Sequence, residues 1–199
     1  MNEREVTLTA DFKRRLFEAG RARNAAKDPS RTRRAGEVFD DAQLDCLGMI
    51  GEGAASIHLG IELNWEVTPG GDDGVDFVLP SGMTVGVKFN HRHRGYLMIE
   101  GRHGDTDAHL NDLKTDALLL IYGPCRPPAE CSCDLLLNPD VSSVVTVGGW
   151  VTRPRFLAMR ASKDWGLGLR HYVPPSRLNR LPLRPAVDAW LRGRCARGA

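Results

Sequence analysis

An aspartate at position 76 and a lysine at position 88 lie within Asp72-Asp73-Gly74-Val75-Asp76-Phe77-Val78-Leu79-Pro80-Ser81-Gly82-Met83-Thr84-Val85-Gly86-Val87-Lys88. The stretch reads as two short strands around a tight Pro80-Ser81-Gly82 turn. A period of two puts Val75, Phe77 and Leu79 on one face of the first strand and Asp76 on the other. On the second strand Met83, Val85, Val87 and Phe89 form the apolar side, with Thr84, Gly86 and Lys88 opposite. Centring the hairpin on Ser81 sets Asp76 directly across from Gly86, with Lys88 one diagonal step away. An acid and a lysine then converge on one face of a hairpin whose other face is apolar. That arrangement suits a divalent cation and a phosphate.

The elements that must position this pair follow from the rest of the pattern. Thr9-Ala10-Asp11 opens a helix to about Lys27, with Phe12, Leu16 and Ala19 at helical spacing and Lys13, Arg14, Arg15, Arg21 and Arg23 on its polar faces. Asp28-Pro29-Ser30 stops it, and Arg31-Thr32-Arg33-Arg34 forms a basic link. A second helix runs from about Phe39 to Leu59, with Cys46, Ile50, Ala54 and Ile57 as its buried stripe and Glu52 off that stripe, near Asp45 and Ser56. Ile61 to Thr68 reads as a strand, as does Tyr96 to Ile99, ending at Glu100. His91 and His93 share a face if the strand before them continues, and read either as exposed polar residues or as metal or phosphate ligands. Residues 101–113 read as a loop leading into a short helix.

Asp116 to Tyr122 is a near-continuous apolar run, expected of a central strand buried on both faces and closed by Gly123-Pro124. Cys125, Cys131 and Cys133 follow at a spacing that matches no common zinc or iron–sulfur pattern, so thiols in a loop are the simpler reading. Leu135 to Leu137 and Val141 to Val147 read as strand material. Gly148-Gly149-Trp150 then turns into a helix from about Arg153 to Ser162, with Pro154 in its first turn. A closing helix spans 184–192.

An acid on one strand, then a lysine on the next, after a helix bearing a glutamate, resembles the PD-(D/E)XK nuclease superfamily, phage-type members included. Gly51-Glu52-Gly53-Ala54-Ala55 with Leu59-Gly60 is similar to its first core helix, and Asp116 to Tyr122 to its third strand. Val145 to Thr152 resembles its strand-to-helix junction, and Tyr172 to Leu178 its C-terminal segment. The resemblance spans roughly residues 40 to 185. It implies an α/β (α+β) fold with a restriction-endonuclease-like core, a central mixed sheet flanked by helices. It also implies a site of Glu52, Asp76 and Lys88, with Mg²⁺ or Mn²⁺ held by Asp76 and Asp73, and a possible homodimer. The family places Asp or Glu two residues before the lysine, where this chain has Gly86. Asp72, Asp73, Glu52 or Glu100 are the candidates to supply the missing ligand, since Mg²⁺ is usually held by one or two carboxylates plus water and phosphate.

The chain of 199 residues is long enough for one well-cored domain, residues 36–199, preceded by a basic helix and linker over 1–35. No apolar run approaches bilayer-spanning length and no signal-peptide core is present, so a soluble cytoplasmic protein is expected. Five cysteines, an odd and unevenly placed set, argue against a secreted disulfide framework. The net charge of +2 conceals an acidic centre between basic ends. Residues 1–35 carry +5, residues 36–152 carry −12 and residues 153–199 carry +9. That distribution fits a cation-gathering core gripped to nucleic acid, DNA before RNA, by arginine-rich flanks. Arg14, Arg15, Arg33, Arg34, Arg92 and Arg94 are the expected phosphate contacts. The expected function is a metal-dependent nuclease. The alternative is an inactive nuclease-fold protein that binds nucleic acid or a protein partner.

Overall fold

The computed structural model describes residues 3–27, 39–67, 74–100, 114–125, 133–164 and 169–180. Asp73, Arg33, Arg34, the expected loop and helix of 101–113, Cys131, Cys195 and the closing helix of 184–192 lie outside them.

Strands β1 (Arg4–Leu8), β2 (Phe77–Val78), β3 (Thr84–Arg92), β5 (Ala117–Cys125) and β6 (Ser143–Thr152) form a mixed five-stranded sheet in the order β1-β6-β5-β3-β2. β3 and β5 are parallel, while the other neighbours run antiparallel. β4 (Leu97–Glu100), β7 (Ala161–Asp164) and β8 (Leu169–Val173) make a second sheet in the order β4-β8-β7. Helices α1 (Ala10–Ala25) and α2 (Asp41–Leu59) cover one face of the main sheet; α3 (Cys133–Leu137) packs on the same side. The second sheet and α4 (Arg153–Met159) cover the other face. The α+β architecture is the one expected, a mixed sheet flanked by helices. Among the described residues no helix is long and apolar enough to cross a membrane.

β5 sits at the centre because its sequence is apolar on both sides. Ala117, Leu119 and Ile121 face α2, and Leu118, Leu120 and Tyr122 face the second sheet. Burial pushes the Tyr122 hydroxyl's pKa up, with the neighbouring Glu3 adding to the shift. The strand runs on through Gly123-Pro124 to Cys125 instead of ending there.

Both long helices begin where their capping residues predict. The Thr9 hydroxyl accepts from the Phe12 amide, and Asp40 and Gln43 form a reciprocal capping box. Cys46, Ile50 and Ala54 are buried as expected, whereas Ile57, one turn further on, is 45% exposed. The helices cross closely at Gly20, where a Cβ would lie 2.8 Å from the Cys46 Cα. This approach sets the polar end of α1 beside the acidic face of α2.

Several local readings are overturned. Ile61 to Val67 is coil, tethered by the Arg23 Nη2 to Asn64 carbonyl bond (3.3 Å) and by Ser56 Oγ to Ile61 carbonyl (2.6 Å). Leu135–Leu137 is helical because its carbonyl groups turn toward a lysine instead of a neighbouring strand. β6 continues through Gly148-Gly149-Trp150, its ladder to β5 shifting register between Leu120 and Ile121. α4 ends at Met159, so Ala161 and Ser162 belong to β7. The N-terminal residues, read as an appendage, contribute β1 to the main sheet and pack α1 on α2.

Candidate functional site

The hairpin has the register expected. Phe77 pairs with Val85 and Val78 with Thr84, and the Asp76 amide donates to the Val85 carbonyl (3.0 Å). Asp76 therefore lies across from Gly86. Phe77, Leu79, Met83, Val85 and Val87 enter the core below α2, with Phe89 packed against it. Past Phe77 the ladder gives way: the Val87 amide donates to the Asp76 carboxylate at Oδ2 (2.5 Å) instead of to a strand carbonyl. This bond fixes the carboxylate at the open edge of β3.

Asp76, Lys88 and Glu52 line one pocket of about 280 Å³, together with Arg23, Lys27 and Asp45 from α1 and α2. Glu66 from the coil after α2 also lines it. Helical spacing brings Asp45 and Glu52 to one face of α2, two turns apart, with Arg23 and Lys27 one turn apart on α1. Arg23 Nη1 bonds Glu52 Oε1 at 2.7 Å, and Lys27 Nζ bonds Asp45 Oδ2 at 2.6 Å. Glu52 and Asp45 are each only 12% exposed, so these cations offset charges that water reaches poorly. Lys88 makes no ion pair with a described residue.

The expected site residues fare unevenly. Glu52, Asp76 and Lys88 come together, while Glu100 sits in the second sheet opposite Arg170. Arg14, Arg15, Arg92 and Arg94 are not among the residues lining the pocket. Arg14 pairs with Asp11 and Asp140, Arg15 lies 4.4 Å over the Trp65 ring, and Arg94 reaches Glu3 at 3.3 Å. His91 and His93 are half-buried against Phe39 and Tyr122, not fully exposed. Burial, then the charge of Arg92, lowers the His91 pKa. Cys46 and Cys125 are buried thiols. Arg23, Lys27, Asp45 and Glu66 were missed. The 45/52 and 23/27 spacings carried a signal for three of them, but only the helix crossing shows that the two faces meet.

Gly86 has a steric explanation. A Cβ there would stand 3.0 Å from Thr115 Cγ2, 3.2 Å from the Gly74 carbonyl oxygen and 3.4 Å from Leu118 Cδ2. A carboxylate built on it would press against a carbonyl dipole in a buried position. Gly86→Asp is therefore expected to lower unfolding free energy by about 2 kcal/mol in urea titration. An unchanged midpoint would show that the neighbours yield freely.

The donor set fits a hard, oxygen-seeking cation. Four carboxylates face three cations in the pocket, leaving a modest negative balance. Asp76 keeps its full charge while accepting from a neutral amide, and a carboxylate has further lone pairs for a cation. Among the described residues no three His, Cys, Asp or Glu side chains are grouped to hold a metal by themselves. That suits Mg²⁺ or Mn²⁺ retaining much of its water, and not the closed ligand cage of structural zinc. No family model, curated protein or solved structure matches this chain.

Proposed function

We propose that the protein is a metal-dependent phosphodiesterase of the PD-(D/E)XK type acting on nucleic acid, DNA before RNA. The supporting observation is the convergence of Asp76, Lys88 and Glu52 on one pocket, from a hairpin and a helix far apart in sequence. In this reading Asp76 would hold Mg²⁺ or Mn²⁺, with water and a substrate phosphate oxygen completing the shell. The bound ion supplies Lewis-acid polarisation of the phosphate and lowers the pKa of an attacking water. Lys88 orients that water and offsets charge growing on the non-bridging oxygens in the transition state. Glu52, held by Arg23, accepts hydrogen bonds from water in the pocket, and Lys27 adds positive potential at its mouth. The buried Cys46 and Cys125 thiols suit a reducing, cytoplasmic setting.

Incubation with plasmid and linear DNA in Mg²⁺ or Mn²⁺, then with chelator, tests this reading. Metal-dependent cleavage that chelator abolishes is expected. Salt-sensitive DNA retention without cleavage in either metal would favour the inert binder instead.

A further inference from the structure

The second sheet has two unlike faces. Leu97, Ile99, His171 and Val173 are buried, and the three apolar ones pack toward Leu118, Leu120 and Tyr122 of the main sheet. Strand alternation sends Arg170 and Tyr172 to the opposite face. There Tyr172 lies 5.0 Å from Tyr96, ring centroid to centroid, at an interplanar angle of 33°. Tyr96 is 42% exposed, unusual for a large ring with no function at the surface. On the adjoining strand the exposed Lys163 stands directly opposite Arg170 in the register, a like-charge pairing that costs stability in a sheet. Glu100 faces Arg170 from the other side and Asp164 ends β7, yet residues 153–180 carry seven Lys and Arg against that one Asp.

We infer that this outer face binds single-stranded nucleic acid, with bases stacking on the Tyr96–Tyr172 pair and the backbone running along Lys163 and Arg170. Two tilted rings at the surface match unstacked bases, which every sequence offers and an intact duplex conceals. The adjacent cations match the phosphates at the spacing of neighbouring strands. None of these residues lines the Asp76 pocket, so the inference goes beyond the nuclease reading and does not depend on cleavage.

The test uses the full chain in EDTA, where cleavage is silent, and a fluorescein-labelled 20-nucleotide strand measured by anisotropy, alone and annealed to its complement. The single strand should bind more tightly than the duplex. Tyr96→Ala should weaken single-strand binding about ten-fold or more, with Tyr96→Phe close to wild type. Lys163→Gln should shrink the slope of log affinity against log salt by about 0.7, the value of one phosphate contact on a single strand. Equal or tighter duplex binding would overturn the inference, as would wild-type behaviour of both Tyr96→Ala and Lys163→Gln. Should Tyr96→Ala lose its native circular dichroism, Lys163→Gln on the exposed strand decides the matter alone. Single-strand binding without cleavage in metal would leave this inference standing and end the nuclease reading; cleavage without ring dependence would do the reverse.

Discussion

Lys88→Ala is expected to reduce metal-dependent cleavage at least a thousand-fold, and Asp76→Asn by a similar factor, with little change in DNA retention. The magnitude follows from the roles proposed. Removing one preorganised group that stabilises developing charge costs roughly 10²–10³ in rate, and losing proton management adds to it. The two substitutions should differ in their metal dependence. Asp76→Asn keeps the shape and removes the charge, so excess Mn²⁺ should restore part of the activity; Lys88→Ala should not respond. Single-turnover rates over a Mn²⁺ titration would read both effects. Equal activity of Lys88→Ala and wild type would mean that the lysine serves the fold alone.

The second large effect lies in the core. Lys13 of α1 is fully buried, and its ammonium donates to the carbonyls of Leu135 (2.9 Å), Asn138 (2.7 Å) and Val141 (2.9 Å) and to Ser143 Oγ (2.7 Å). These oxygens replace the water the charge has lost and pin the α3-to-β6 connection to the first helix. Lys13→Met fills the volume but strands several carbonyl groups at once. Unfolding free energy should fall by about 3 kcal/mol or more, measured by urea titration. A midpoint within error of wild type would contradict this. Burial also lowers the Lys13 pKa to about 8, against 10.5 for an unperturbed lysine. Between those values the unfolded chain binds more protons than the folded one, so the Lys13 contribution to stability should rise with pH. Below pH 8 both states are protonated and the contribution should be flat. The difference in unfolding free energy between wild type and Lys13→Met should therefore widen from pH 8 toward pH 10.

What the sequence revealed and what it hid divides along physical lines. The hairpin register, the helix starts at Thr9 and Asp40 and the doubly buried β5 were legible because each rests on local chemistry: a turn, a cap, or an unbroken apolar run. Lys13 could not be distinguished from the surface lysines and arginines beside it, because its partners lie more than 120 residues away. β1 escaped notice since only Val6 and Leu8 point inward, too short an alternation to declare a strand. β7 and β8 pair with each other and with β4, and nothing within Ala161–Asp164 marks an exposed strand. The acid and the lysine of the pocket were readable from the hairpin alone. The paired cations Arg23 and Lys27 were not, because their arrival depends on how closely α1 crosses α2 at Gly20.

Titrating ¹⁵N-labelled protein with Mn²⁺ and following amide line broadening by NMR asks most directly whether this pocket holds a divalent cation. Paramagnetic broadening should appear first at Gly74 to Asp76, at Val87 and Lys88, and at the Gly48–Glu52 turn of α2, and should vanish in Asp76→Asn. Broadening centred elsewhere, or none at millimolar Mn²⁺, would contradict the assignment of this pocket as a metal-dependent phosphodiester site.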